Sequence, residues 1–191
     1  MELKEAIMKR RSIRKYHDKP VSDDILNEIL ETAVWAPSGV NLQPWYFVVV
    51  RSPEERKKLN DLLVMTKDRS EPGLVARFKD HPKVVEETLT FMETMGGAPV
   101  LILAFMYKKY DSEEQHSASV QSVAAALQNI SLLAYEKGLG TCWTTGSILV
   151  SKEMEERYGK DKGDYMAMMS IGYCDFPESG PPRKKGRIEF I

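Results

Sequence analysis

The sequence predicts an α+β fold, with a mixed β-sheet packed among helices. Two observations carry the prediction. Segments with helical periodicity outnumber segments that read as strands. The strand-like segments, 45–51, 98–106 and 165–173, are too few and too widely spaced for a long βαβ series. A length of 191 residues fits one domain over residues 1–191, and no internal repeat or interdomain linker interrupts it.

Residues 2–10 form a helix with Leu3, Ala6 and Ile7 on one face, and a basic run follows at its end. Pro20 breaks the chain. Ser22 caps the next helix, with Asp23 and Asp24 in its first turn. Ile25, Leu26, Ile29, Leu30, Ala33 and Val34 recur at helical spacing, and Pro37 ends the segment. The loop Pro37–Pro44 leads into a strand, Trp45–Arg51. Ser52-Pro53-Glu54-Glu55 is a capping box with proline at the first helical position, and it opens a helix to about Met65.

Thr66–Pro82 is polar and carries the breakers Glu71-Pro72-Gly73 and His81-Pro82, so it reads as a long loop, a possible lid. Lys83–Met95 is helical and stops at Gly96-Gly97. Ala98–Met106 is a buried strand, and Tyr107–His116 is a polar loop. The helix from Ser117 to about Lys137 has no charge from Ser117 through Tyr135. It is apolar nearly all round, which makes it the hub of a core or half of a subunit interface. Gly138 caps it. Ser151–Tyr158 is a short helix and Tyr165–Tyr173 a strand; the Pro- and Lys-rich tail from Pro177 turns apolar at Ile188, Phe190 and Ile191.

Composition excludes several classes. Lys plus Arg is 27 and Asp plus Glu is 28, a net charge of −1, which argues against a nucleic-acid binder. The longest apolar stretch, Ala98–Met106, is far too short to span a bilayer, so no membrane partner is expected. The opening MELKEAIMKRRSIRKY is charged throughout and does not read as a signal peptide. Cys142 and Cys174 are too few for a disulfide scaffold and fit a reducing, cytoplasmic setting. No zinc spacing is present, so no metal is expected; GxxxxGK[ST], HExxH and GxSxG are absent.

Four segments are candidates for chemistry. Lys9–Lys15 holds five basic residues in seven, suited either to a phosphate or simply to a helix C-terminal dipole. Pro37-Ser38-Gly39-Val40-Asn41-Leu42-Gln43-Pro44-Trp45 offers uncharged donors and acceptors between two prolines. It suits a neutral heterocycle with imide-like edges, or a rigid turn that satisfies its own backbone. Gly138-Leu139-Gly140-Thr141-Cys142-Trp143-Thr144-Thr145-Gly146 closes a helix rather than opening one, so it is not a dinucleotide fingerprint. Its Thr144, Thr145 and Gly146 can line a planar ligand. The fourth is the basic tail Arg183-Lys184-Lys185-Gly186-Arg187, a solvated charge run unless the apolar residues after it dock. The three histidines read as surface residues, and Cys142 has no evident base beside it.

Together, in this order, these segments resemble the nitroreductase family of FMN-dependent oxidoreductases. The resemblance rests on Arg10-Arg11-Ser12-Ile13-Arg14, on Pro-Ser-x-x-Asn-x-Gln-Pro-Trp at 37–45, on Gly138–Trp143 after the uncharged helix, and on the basic tail. It implies a nitroreductase-like homodimer in which the central helices pair and the C-terminal tail is exchanged, with FMN at the interface. By resemblance, Arg10, Arg11, Ser12 and Arg14 hold the phosphate, ribityl chain and pyrimidine edge. Pro37, Ser38, Gly39 and Asn41 approach from the partner chain. Thr144, Thr145 and Gly146 sit near the ring and its N5, and Arg183 and Lys185 match late basic residues of the family. Many relatives carry an acidic residue where this chain has Thr145. The implied activity passes hydride from NAD(P)H through flavin N5 to a nitroaromatic, quinone or similar acceptor in ping-pong fashion. No catalytic side chain is assigned. The alternative within the fold is a reductive dehalogenase-like or flavin-consuming enzyme, with 66–82 as its substrate lid.

Overall fold

A computed structural model describes residues 2–107 and 111–191. Part of the expected polar loop 107–116, residues 108–110, lies outside the described residues. The helices are α1 (Leu3–Lys9), α2 (Asp23–Ala33), α3 (Pro53–Arg77), α4 (Pro82–Thr94), α5 (Glu113–Glu136) and α6 (Ser151–Tyr158). The strands are β1 (Trp45–Val50), β2 (Val100–Met106), β3 (Leu139–Thr144) and β4 (Asp164–Tyr173). The order across the sheet is β1-β2-β4-β3, and every neighbouring pair is antiparallel. The parallel pairing expected of a mixed sheet is confined to an isolated bridge between Ser12 and Thr141.

Strand alternation sends side chains to both faces of this sheet. On β2, Leu101, Leu103 and Phe105 join a core with Leu59, Leu62 and Phe91 of α3 and α4 and Met154 of α6. Val100, Ile102, Ala104 and Met106 join a second core with Leu26 and Ile29 of α2 and Val123, Leu127 and Ile130 of α5. Helices cover both faces, which explains why 98–106 reads as one continuous apolar run. No helix among the described residues is long and apolar enough to cross a membrane.

The caps form as expected: Ser22 Oγ accepts from Ile25 N–H at 3.5 Å and Ser52 Oγ from Glu55 N–H at 3.1 Å. Three elements differ from expectation. α5 begins at Glu113, about a turn before the expected Ser117, because Ser112 caps it, its Oγ accepting from Gln115 N–H at 3.3 Å. The segment 66–82 is not a loop, because α3 runs on through Pro72 to Arg77 and only residues 78–81 connect it to α4. Proline costs helix an N–H and a steric clash, but the tertiary contacts outweigh it. Thr66 and Ser70 are buried, Lys67 pairs with Glu93 at 3.1 Å, and Arg69 grips Glu153 at 2.6 Å and the Leu149 carbonyl at 2.7 Å. The last difference is β3, a strand within the glycine-bearing segment 138–146, where the sequence predicts none. The strand needs glycine at 140, because a Cβ there would stand 2.5 Å from Cys174 Sγ and 2.6 Å from Ile13 Cγ1.

Candidate active site

The basic run after α1 does not trail into solvent. Ile13 N–H donates to the Thr141 carbonyl (2.9 Å), Tyr16 N–H to that of Gly96 (3.0 Å) and His17 N–H to that of Tyr173 (2.8 Å). The buried Tyr16 hydroxyl donates to the Ile13 carbonyl at 2.8 Å and meets Ser170 Oγ at 2.8 Å. Residues 12–17 are thus laid across the end of the sheet. Ser12 and Arg14, which flank the anchored Ile13, project into open space.

Three adjoining cavities meet at Ser12. One, of about 330 Å³, is lined by Arg10, Arg11, Ser12, Arg14, Pro177, Ser179, Gly180, Pro181 and Arg183. It gathers four guanidinium groups and no acid. The second, of about 220 Å³, adds Gln128 and Ser131 of α5 with Trp143 and Thr145. The third, of about 990 Å³, runs from Ser12 and Arg14 along Phe91, Thr90 and Lys83 of α4. Arg14 stacks its guanidinium over Phe91, 5.9 Å from the ring centre.

The electrostatics point to an anion. Burial, followed by the charges of Arg11 and Arg183, pushes Arg10 below its ordinary value. Arg10 and Arg11 each carry a buried Nε–H with no hydrogen-bond partner. Buried polar groups are nearly always paired, so unpartnered donors in an acid-free cluster suit a phosphate, whose oxygens match guanidinium forks. Cys142 lies under this cluster, 3% exposed, and burial pushes its thiol up, so it is no activated nucleophile.

The structure brings Arg10, Arg11, Ser12, Arg14, Thr145 and Arg183 together. Thr144 ends β3, and Gly146 packs against α4, where an added Cβ would stand 2.9 Å from Met92 Cε. Lys185 is exposed and lines none of these three cavities. Pro37, Ser38, Gly39 and Asn41 line none of them either. Their loop sits against α5, with Gly39 N–H donating to Ser122 Oγ at 3.4 Å. Ser38 Oγ accepts from Gln43 N–H at 3.1 Å and Gln43 Nε2 donates to Asn41 Oδ1 at 3.0 Å, so the loop partly satisfies itself. Val40, Asn41 and Gln43 all hold positive φ (46°, 57° and 48°). For exposed, β-branched Val40 that is a strained conformation, of the kind concentrated at functional sites. Gln128 and Ser131 were not singled out from sequence. Their signal was present: two uncharged polar residues three apart share one face of the charge-free part of α5.

Comparison with known proteins agrees with this geometry. A model described as the Nitroreductase family matches residues 7–173. The Bacillus subtilis protein named "Putative NAD(P)H nitroreductase YfhC" is 30% identical over 184 residues, covering 96% of this chain and 88% of that one. Rat iodotyrosine deiodinase 1 is 27% identical, covering 100% of this chain and 68% of its own length. Among solved structures, a BluB-like flavoprotein from Clostridium difficile 630 superposes with a TM-score of 0.74 at 30% identity, covering 96% of this chain and 95% of that one. A Desulfovibrio desulfuricans structure titled as a nitroreductase in complex with FMN gives 0.67 at 27%, covering 98% and 93%.

Proposed function

Because this chain belongs to the nitroreductase family, we propose that it is an FMN-dependent oxidoreductase that takes hydride from NAD(P)H and delivers it to a nitroaromatic, quinone or similar acceptor. The observation that carries the reading is the acid-free cavity with four arginines, among them Arg10 with an unpartnered buried Nε–H group. When bound, FMN supplies a ring that accepts and returns hydride, so the two substrates react in turn.

The chain's own residues do the binding and positioning. Arg10 and Arg183 hold the phosphate, and Arg11 adds to the positive potential. Ser12, at the meeting point of the cavities, offers its hydroxyl to the ribityl chain. Arg14 stands between the phosphate cavity and the largest one, where its fixed charge favours negative charge at the ring's edge. Thr145 lines the adjoining cavity with Arg10 and Ser12, with Thr144 and Gly146 beside it in sequence. No side chain serves as a nucleophile.

A homodimer completes the reading. A second copy supplies Pro37, Ser38, Gly39 and Asn41, which one copy leaves outside the arginine cavities. The exposed Ile188, Phe190 and Ile191 at the chain's end (81%, 95% and 115% exposed) are suited to docking on that copy. The setting is the cytoplasm, where the two free thiols stay reduced.

Purified protein is expected to show visible flavin absorbance, and Arg14→Ala to weaken flavin retention roughly tenfold or more. A colourless protein that takes up no added FMN refutes the reading. Likeness to iodotyrosine deiodinase favours a second reading, reductive dehalogenation, with α4 and Phe78, which follows α3, walling the substrate. Assays with NADH and NADPH against nitro, quinone and halogenated aromatic acceptors separate the two. Nitro reduction without dehalogenation removes the second.

A further inference from the structure

The C-terminal segment returns to the arginine cavity through Pro177, Ser179, Gly180 and Pro181. Its contact with the basic run is made by a glycine. A Cβ on Gly180 would stand 1.9 Å from Arg11 Nε and 2.7 Å from Arg11 Cζ. The φ of Gly180 lies outside the left-handed region, so the site demands space rather than an unusual backbone.

Arg11 is held from its other side. Its Nη1 donates to the Met8 carbonyl at 2.7 Å and to the Arg10 carbonyl at 2.8 Å, at the C-terminal end of α1. Met8 lies in the last turn of α1, where carbonyls lack helical partners and carry the negative end of the helix dipole, and Arg10 directly follows the helix, so a guanidinium suits this end. Arg11 Nε is buried and unpartnered, with Gly180 laid against it. Three residues on from Gly180, Arg183 folds back, its Nη1 donating to the Pro181 carbonyl at 3.1 Å, and lines the same cavity as Arg10.

We propose that Arg11 and Gly180 form a latch, in which the guanidinium fixed on the α1 carbonyls seats the glycine, and the seated glycine sets where Arg183 stands in the phosphate cavity. Both are positioning residues. Arg11 acts through the tail, not as a phosphate ligand. The latch rests on the FMN reading above, since it supposes a phosphate in that cavity. Arg183 and Arg10 line one cavity, and burial, then the charges of Arg11 and Arg183, hold the Arg10 guanidinium below its ordinary value.

The test uses the full chain, freed of flavin and titrated with FMN and with riboflavin, which lacks the phosphate, while flavin fluorescence is followed. Gly180→Ala is expected to weaken FMN binding about tenfold and leave riboflavin within about twofold, the selective loss of a charge-assisted contact. Its unfolding midpoint stays at the wild-type value, because the anchored guanidinium holds and the flanking tail, exposed at residues 177–179 and 181–191, shifts without disturbing the core. In an Arg11→Ala background, Gly180→Ala adds nothing, since the clash is gone. Arg11→Lys keeps the charge but loses the fork, and it produces the same selective loss even where the glycine variant folds poorly.

Unchanged FMN binding in Gly180→Ala or in Arg11→Lys overturns the latch. So does an equal loss for FMN and riboflavin, or a further loss when Gly180→Ala is added to Arg11→Ala. Wild-type protein that binds neither flavin overturns the functional reading, and the latch with it. Wild type that binds FMN beside an indifferent Gly180→Ala overturns the latch alone.

Discussion

Tyr16→Phe tests how the arginine-bearing segment is fixed to the sheet. Tyr16 is 8% exposed, and its hydroxyl lies 2.8 Å from the Ile13 carbonyl and 2.8 Å from Ser170 Oγ. Phenylalanine keeps the ring, so no cavity opens and the loss is confined to polar contacts. The Ile13 carbonyl loses this donor. Ser170 Oγ retains a long contact of 3.5 Å with the Cys142 carbonyl. At about 1 kcal/mol for each buried contact, the variant is destabilised by about 2 kcal/mol. Urea unfolding at neutral pH measures this as a lower midpoint at unchanged slope. The same hydroxyl has an alkaline signature. Burial pushes the Tyr16 and Tyr165 phenols well above their ordinary value of 10.0. The unfolded chain therefore gives up these protons first. Their stabilisation is complete below about pH 10 and is lost as pH rises above it, by up to about 1.4 kcal/mol per pH unit for each tyrosine. Tyr16→Phe removes one share of that slope. A variant within about 0.5 kcal/mol of wild type at neutral pH, or one with an unaltered alkaline slope, refutes the reasoning.

Two further outcomes are expected. Asp61 accepts a guanidinium fork from Arg157, at 2.6 Å and 2.8 Å, and this pair holds its carboxyl below the ordinary value of 3.8. Stability from the pair is present above that value and lost as pH falls through the lower folded one. Because Asp61 is largely exposed, Asp61→Asn costs only about 0.5 kcal/mol at neutral pH, and the difference vanishes in acid; pH-dependent urea midpoints check it. Gly96 has φ +63°, and a Cβ there would stand 2.3 Å from the Arg14 carbonyl oxygen. Gly96→Ala is expected to cost about 2 kcal/mol and to weaken flavin binding together with stability, since backbone must move under Arg14. Thermal unfolding and flavin titration on one preparation measure both.

The elements legible in the sequence are those set by local chemistry. Ser22 and Ser52 cap helices because their hydroxyls reach N–H groups three residues on. Within the apolar run 98–106, both faces of Val100–Met106 are covered, and that strand is buried along its whole length. The basic run at 9–15 could be read as cationic, but not as convergent. Only the hydrogen bonds of Ile13, Tyr16 and His17 to three separate stretches of chain lay it across the sheet end beside a tail some 170 residues away. Pro72 shows the opposite limit. A breaker read correctly as a local cost is overridden once Lys67 and Arg69 find partners on α4 and α6.

The sequence by itself determined the α+β class, the helix caps, the apolar cores and the identity of the arginines, because each follows from periodicity or from chemistry within a few residues. Tertiary structure alone decided that four of those arginines would share one cavity without an acid, that 66–77 would be helix and 139–144 strand. The physical reason is that charge convergence and strand pairing depend on residues brought together by the packing of both sheet faces, and no local stretch of chain contains that free energy.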